Sequence, residues 1–212
     1  MMKSLKYTLL TDGSSDKALL NIIKWLLDDL YPQLPNDGSF ADFRHIPNPP
    51  QIGDVVQRMN CTQNFYPFDI LFYHRDAEKF DVNTRKKEIL KQVDPMLYSK
   101  IVCVVPVRMM ETWLLINVDA IKKASGNRNY ANDIDLPAIK KLESLAKPKE
   151  MLHELIEKTS GLKGRRLKTF NVHGAVHLVA ENIKDYSPLR ELPAFREFEK
   201  DLRIAVDLFL SK

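Results

Sequence analysis

Apolar positions come in short runs separated by polar turns, and their spacing changes along the chain. Lys6-Tyr7-Thr8-Leu9-Leu10-Thr11 is a short β-prone run, stopped by Asp12-Gly13-Ser14-Ser15-Asp16. From Lys17 to Leu27 the apolar residues fall at 19, 20, 22, 23, 26 and 27, which is helical spacing. Leu30 to Asp42, punctuated by Pro32, Pro35 and Gly38, reads as loop. Ala41 to Ile46 reads as a weak second strand, ended by Pro47-Asn48-Pro49-Pro50. Ile52, Val55, Val56 and Met59 share one face of a helix. Phe68 to Tyr73 has the pattern of a buried strand and runs into His74-Arg75-Asp76-Ala77-Glu78. Asn83 to Val93 is a polar helix. Ile101 to Val105 is the most β-like segment, closed by Pro106, and Met109 to Ile116 returns to helical spacing.

Past Asn117 no segment reads as a strand. Ile139–Leu145, Lys149–Thr159, Gly174–Ile183 and Ala194–Leu210 read as helices, and the last sets Phe195, Phe198, Leu202 and Val206 on a core-facing stripe. Strands at 6–11, 70–73 and 101–105, separated by helices, predict an α/β fold: a mostly parallel sheet with right-handed crossovers, flanked by helices. The expected organisation is an α/β core over 1–116 with a helical C-terminal extension, 117–212, packed on it as one structural unit.

Composition narrows the class. The 212 residues are 44% apolar, enough for a full core, and the net charge of +4 does not by itself demand nucleic acid. Cys61 and Cys103 lack metal-type spacing, so buried thiols in a reducing cytoplasm are expected. The opening Met1-Met2-Lys3-Ser4-Leu5-Lys6 lacks a secretory h-region, and no apolar run reaches the ~20 residues of a bilayer span. No membrane partner and a cytoplasmic location are the expectation.

The candidate chemistry gathers at strand ends. Asp12 and Asp16 flank Gly13 after the first strand, Asp76 and Glu78 follow the buried strand, and Glu111 lies just past Pro106. In a parallel sheet these ends share one edge, where α/β folds collect ligands. Converging carboxylates repel unless a cation sits among them or one keeps its proton. Oxygen ligands of this kind suit Mg2+ or Mn2+, in the arrangement that grips phosphates and activates water. The plainer alternative is that Ser15 or Asp16 caps the following helix and the other acids form turns.

These same segments resemble the Toprim (topoisomerase–primase) family. Thr11 to Leu20 looks like its first motif, and Leu71 to Glu78 like its second, an Asp-x-Asp after a hydrophobic strand. Pro106 to Leu115, with Glu111-Thr112-Trp113-Leu114-Leu115, is similar to the DUF4276-type branch related to OLD-family nucleases, as is the Phe195/Phe198 ending helix. The resemblance implies a metal-dependent nuclease on nucleic acid, DNA-binding, linked to defence against phage or plasmids beside a partner ATPase. It places Asp12 at the general acid/base position or as a metal ligand, with Asp76 as its catalytic partner and as a metal ligand. Glu78, Glu111 and His74 fall at other metal positions, and Gly13 and Asp16 in support. Two positions depart from the pattern. Asp12 is one methylene shorter than the family's glutamate, a change in reach of about 1.5 Å, and His74 replaces a carboxylate with an imidazole, a poor partner for Mg2+.

A catalytically degenerate binding or effector module is the rival those departures favour. A phosphatase or nucleotidyltransferase would need a nucleophile or nucleotide-gripping loop that the chain does not display. Arg75 is a candidate phosphate contact, and Lys163, Arg165 and Arg166, with Lys168, form a basic cluster that reads as either a nucleic-acid contact or a solvated helix start. Lys79, Arg85, Lys86 and Lys87 read as a phosphate-facing rim or an ordinary exposed face. His173 and His177 share a helix face without the further ligands zinc needs. Trp113 reads as core.

Overall fold

The computed structural model describes residues 3–51 and 53–212. The chain begins with β1 (Leu5–Leu10), a 3-10 turn at Ser14–Ala18 and α1 (Leu19–Leu30). Then come β2 (Asn36–Phe40), α2 (Val55–Phe65), β3 (Ile70–His74), α3 (Val82–Lys91) and β4 (Ile101–Val104). The remainder is helical: α4 (Val118–Ala124), α5 (Pro148–Ser160), α6 (Gly164–Lys168), α7 (Val172–Asn182) and α8 (Pro193–Leu210). The four strands form one all-parallel sheet in the order β2-β1-β3-β4. The α/β fold with a helical C-terminal part is therefore as its periodicity predicts. Among the described residues no helix is long and apolar enough to cross a membrane.

Alternation along the strands sorts their side chains to two faces. Tyr7, Leu9, Phe72, Val102 and Val104 pack into one buried cluster with α1 and with residues of α4, α5, α7 and α8. Leu10, Leu71, Tyr73 and Cys103 pack into a second cluster with Val55 and Met59 of α2 and Ile89 of α3. The helices of the last third thus share a core with the sheet. Trp113 seals it, stacked on Phe198 at 5.7 Å and edge-on to Phe195 at 5.2 Å.

The segment between α1 and α2 differs from its sequence pattern. Residues 36–40, expected as loop, form the edge strand β2, paired with β1 from Leu5↔Asn36 to Leu9↔Phe40. Asn-Asp-Gly-Ser has little intrinsic β preference, and pairing to β1 overrides it. Gly38 lies under the Tyr7 ring, and a methyl there would overlap it. The weak strand expected at 41–46 is instead a 3-10 turn at Phe43–His45, because the Asp42 carboxylate accepts from the Arg44 N–H at 3.1 Å. Helix α2 starts at Val55, where Asp54 accepts from Gln57 N–H at 2.9 Å; Ile52 lies outside the described residues. Its buried face is Val55, Arg58, Met59 and Thr62, while Val56 is 57% exposed. Met110–Leu114 and Ile139–Ser144, which have helical spacing, are 3-10 segments.

Candidate functional site

Register sets the site. Leu10 pairs with Tyr73, which pairs with Cys103, so β1, β3 and β4 end together and release their loops at one edge. The loops after β3 and β4 stay zipped beyond the strands. Arg75 N–H donates to Val104 O at 3.3 Å, Ala77 N–H to Pro106 O at 3.1 Å and Glu78 N–H to Arg108 O at 2.9 Å. Glu78 (φ 53°) and Arg108 (φ 65°) both adopt left-handed backbone, a conformation costly for side-chain-bearing residues and concentrated at functional sites. The β1–β3 boundary is also where the strand order reverses direction, the place open α/β sheets bind ligands.

Alternation then divides the candidate residues between the two sides of this edge. His74 and Asp76 lie on one side with Asp16. His74 Nε2 is 3.5 Å from Asp76 Oδ1 and 3.8 Å from Asp16 Oδ2. His74 Nδ1 lies 2.9 Å from Val104 O. A carbonyl oxygen only accepts, so Nδ1 carries hydrogen and donates. Nε2 therefore faces the two carboxylates, an arrangement relieved by a proton shared among the three groups or by a cation between them. Burial pushes the Asp76 carboxyl up to about 6; Asp16 and Glu111 act in the same direction, while His74 and the Met110 N–H, bonded at 2.9 Å, oppose it. Glu111 is buried one layer further back, with Lys149 Nζ of α5 at 3.7 Å. Trp113 and the Thr112 hydroxyl, which donates to Val107 O at 2.9 Å, pin the turn that carries it.

The other side is built of arginines. Asp12 Oδ1 accepts from Arg58 at 3.1 Å and Asp12 Oδ2 from Arg75 at 3.2 Å. Arg58 also donates to Thr11 O. Glu88 bridges Arg75 and Arg85, each at 2.6 Å, and Arg85 reaches Glu78 at 3.1 Å. Arg85 is 3% exposed, and its Nε–H has no hydrogen-bond partner among the described residues. Asp12, Asp16, His74, Arg75, Asp76, Glu78 and Arg85 line one small cavity of about 150 Å3.

The structure thus brings Asp12, Asp16, His74, Arg75, Asp76 and Glu78 together, with Glu111 just behind. Gly13 stands on the rim in extended backbone that any residue adopts, and no side chain of Ser15 or Asp16 caps the helix. Lys163, just before α6, and Arg165 and Arg166 on it are exposed, and none makes an ion pair among the described residues. His173 faces His153 of α5, ring to ring at 5.2 Å, instead of pairing with His177. Arg58, Glu88 and Lys149 escape a reading of motifs. For Arg58 the available signal is its place between Val55, Met59 and Thr62 on the buried stripe of α2. Lys149 has no local signal, because its neighbour at the site, Glu111, is 38 residues earlier in the chain.

Two carboxylates meeting at one imidazole nitrogen are a donor set that fits a divalent cation. Among the described residues, however, no three His, Cys, Asp or Glu side chains form a group able to hold a metal by themselves. A cation held here would need its remaining ligands from water or other oxygen donors, as Mg2+ commonly does. Comparison with protein-family models, with curated proteins and with solved structures gives no match to this chain.

Proposed function

We propose that this chain is a Toprim-like hydrolase of nucleic-acid phosphodiesters that works with Mg2+ or Mn2+. The observation that carries the reading is the convergence of Asp16 and Asp76 on His74 Nε2 at the carboxyl ends of β1 and β3. Asp76 and Asp16 would hold the cation, with His74 Nε2 facing it and Glu111 supporting from behind. A bound divalent cation would supply Lewis-acid polarisation of a phosphoryl oxygen and a more acidic water. Arg75 lines the same cavity and is placed to take a phosphate oxygen, with Glu88 and Asp12 fixing its plane. Each Asp12 oxygen already accepts from a guanidinium, so Asp12 is better placed to orient Arg58 and Arg75 than to bind metal. Glu78, held by Arg85, has the same positioning role. The link to an ATPase and to phage or plasmid defence rests on the family resemblance alone.

Those arginine clamps, and the lack among the described residues of a self-sufficient group of metal ligands, favour a second reading: a degenerate module that binds nucleic acid without cutting it. Cleavage of labelled DNA and RNA with Mn2+ or Mg2+ separates the two. The hydrolase cuts at least one, and Asp76→Asn lowers the rate at least a hundredfold (about 2.7 kcal/mol of barrier). Binding with no cleavage under any divalent ion would leave only the module.

A further inference from the structure

A second cavity, of about 350 Å3, opens on the far side of Asp12 from the acidic cluster. Its volume is at the small end of the range for small-molecule sites. It lies across the carboxyl ends of β1 and β2, and Asp12 and Arg58 form the wall between it and the β1–β3 edge. The other walls are flat and apolar: the rings of Phe40 and Phe43, and Pro49 and Pro50. Phe43 is held in place by Tyr66, edge-on at 6.3 Å, and by the Arg58 guanidinium 5.4 Å from its ring centre. Thr11, Ser14 and the Asp12–Arg58 pair make the polar side, and Arg44 and Asp42 form a further ion pair among the lining residues.

We infer that this cavity is a nucleobase subsite, taking one unstacked base of the strand whose phosphate lies against Arg75 next door. The inference rests on the phosphodiester reading of the acidic site. The chemistry of the two cavities together selects the ligand: a flat apolar slot on one side of Asp12 and a guanidinium-lined one on the other. A nucleotide joins a planar π-face to an anion in one molecule, and aromatic faces hold such bases with little regard to sequence. Asp42 and Arg44 offer an acceptor and donors to the edge of the base.

The test is fluorescence anisotropy of the full chain, without divalent ions, on a labelled short single strand and on its abasic counterpart. The wild type binds the base-bearing strand about tenfold more tightly. Phe43→Leu, which keeps an apolar side chain but removes the π-face, brings the two affinities together, and Phe43→Trp restores the gap. Circular dichroism melts confirm that both variants fold. Ribonucleotide versions tell which sugar is accepted, and base dependence with either sugar supports the subsite. Equal affinity for base-bearing and abasic strands, no binding of either, or a Phe43→Leu variant that keeps the full gap overturns it. Hydrolysis is read separately: base-dependent binding without cleavage removes the hydrolase and keeps the subsite, and cleavage without base dependence does the reverse.

Discussion

Asp76 carries opposing demands in one side chain. Its backbone neighbours fix it against the Met110 N–H, while burial and two acids work against its charge. A carboxyl raised from about 3.9 in the unfolded chain to about 6 in the native one binds its proton more tightly when folded. Its contribution to stability is therefore fully present below about pH 4 and is lost as pH rises through about 6. Asp76→Asn removes that loss. In melts with chelator present, the variant gains on the wild type from about pH 4 to about pH 7.5, and a difference that stays constant with pH would contradict the assigned environment. Asp76 and Asp16 stand at strand ends and were legible from topology, whereas His74 entered only through the family resemblance. The sequence did not show that Asp12 would be clamped, because Arg58 arrives from a helix 46 residues later and is buried among apolar side chains.

At the scale of elements, the strands with strong apolar runs, β1, β3 and β4, announced themselves, and so did the long amphipathic helices α1 and α8. What stayed hidden was β2, whose residues are polar and mostly exposed. An edge strand needs only backbone pairing on one side, so periodicity carries little information about it. The one side-chain clue is Gly38, which makes room for the Tyr7 ring. Gly38→Ala forces that ring or the strand to move and destabilises the fold by about 1–3 kcal/mol, the usual size of an overpacking effect. A guanidinium titration reads the loss, and Gly53→Ala, at a position with open space around it, is the control that leaves the midpoint nearly unchanged. The short 3-10 segments were misread as helices because buried apolar residues three apart fit both periods. In Met110–Leu114 that tight turn is useful: it buries Trp113 and leaves Glu111 behind Asp76.

Across the whole molecule, the sheet works as a partition. Helices α2 and α3 bring arginines to one side of its carboxyl edge, and α5 brings Lys149 to the acids on the other. Neither delivery is visible in a local motif, since each depends on which face of the sheet a helix covers. The pairing of Arg58, Arg75 and Arg85 with Asp12, Glu78 and Glu88 has a consequence for how ions take part in binding. Three unpaired arginines neutralising three phosphates would release the counterions condensed on a single strand and give a log–log salt slope of about −2. Arginines already neutralised by the protein's own carboxylates release few small ions when a phosphate arrives; the displaced partner is a tethered Asp or Glu that stays with the chain. Single-strand affinity measured against salt should fall with a slope clearly shallower than −2, and a mutant lacking Glu88 should steepen it. The carboxylates would then be the site's resident counterions, and any polyanion it binds would be held with less sensitivity to salt than the arginine count suggests.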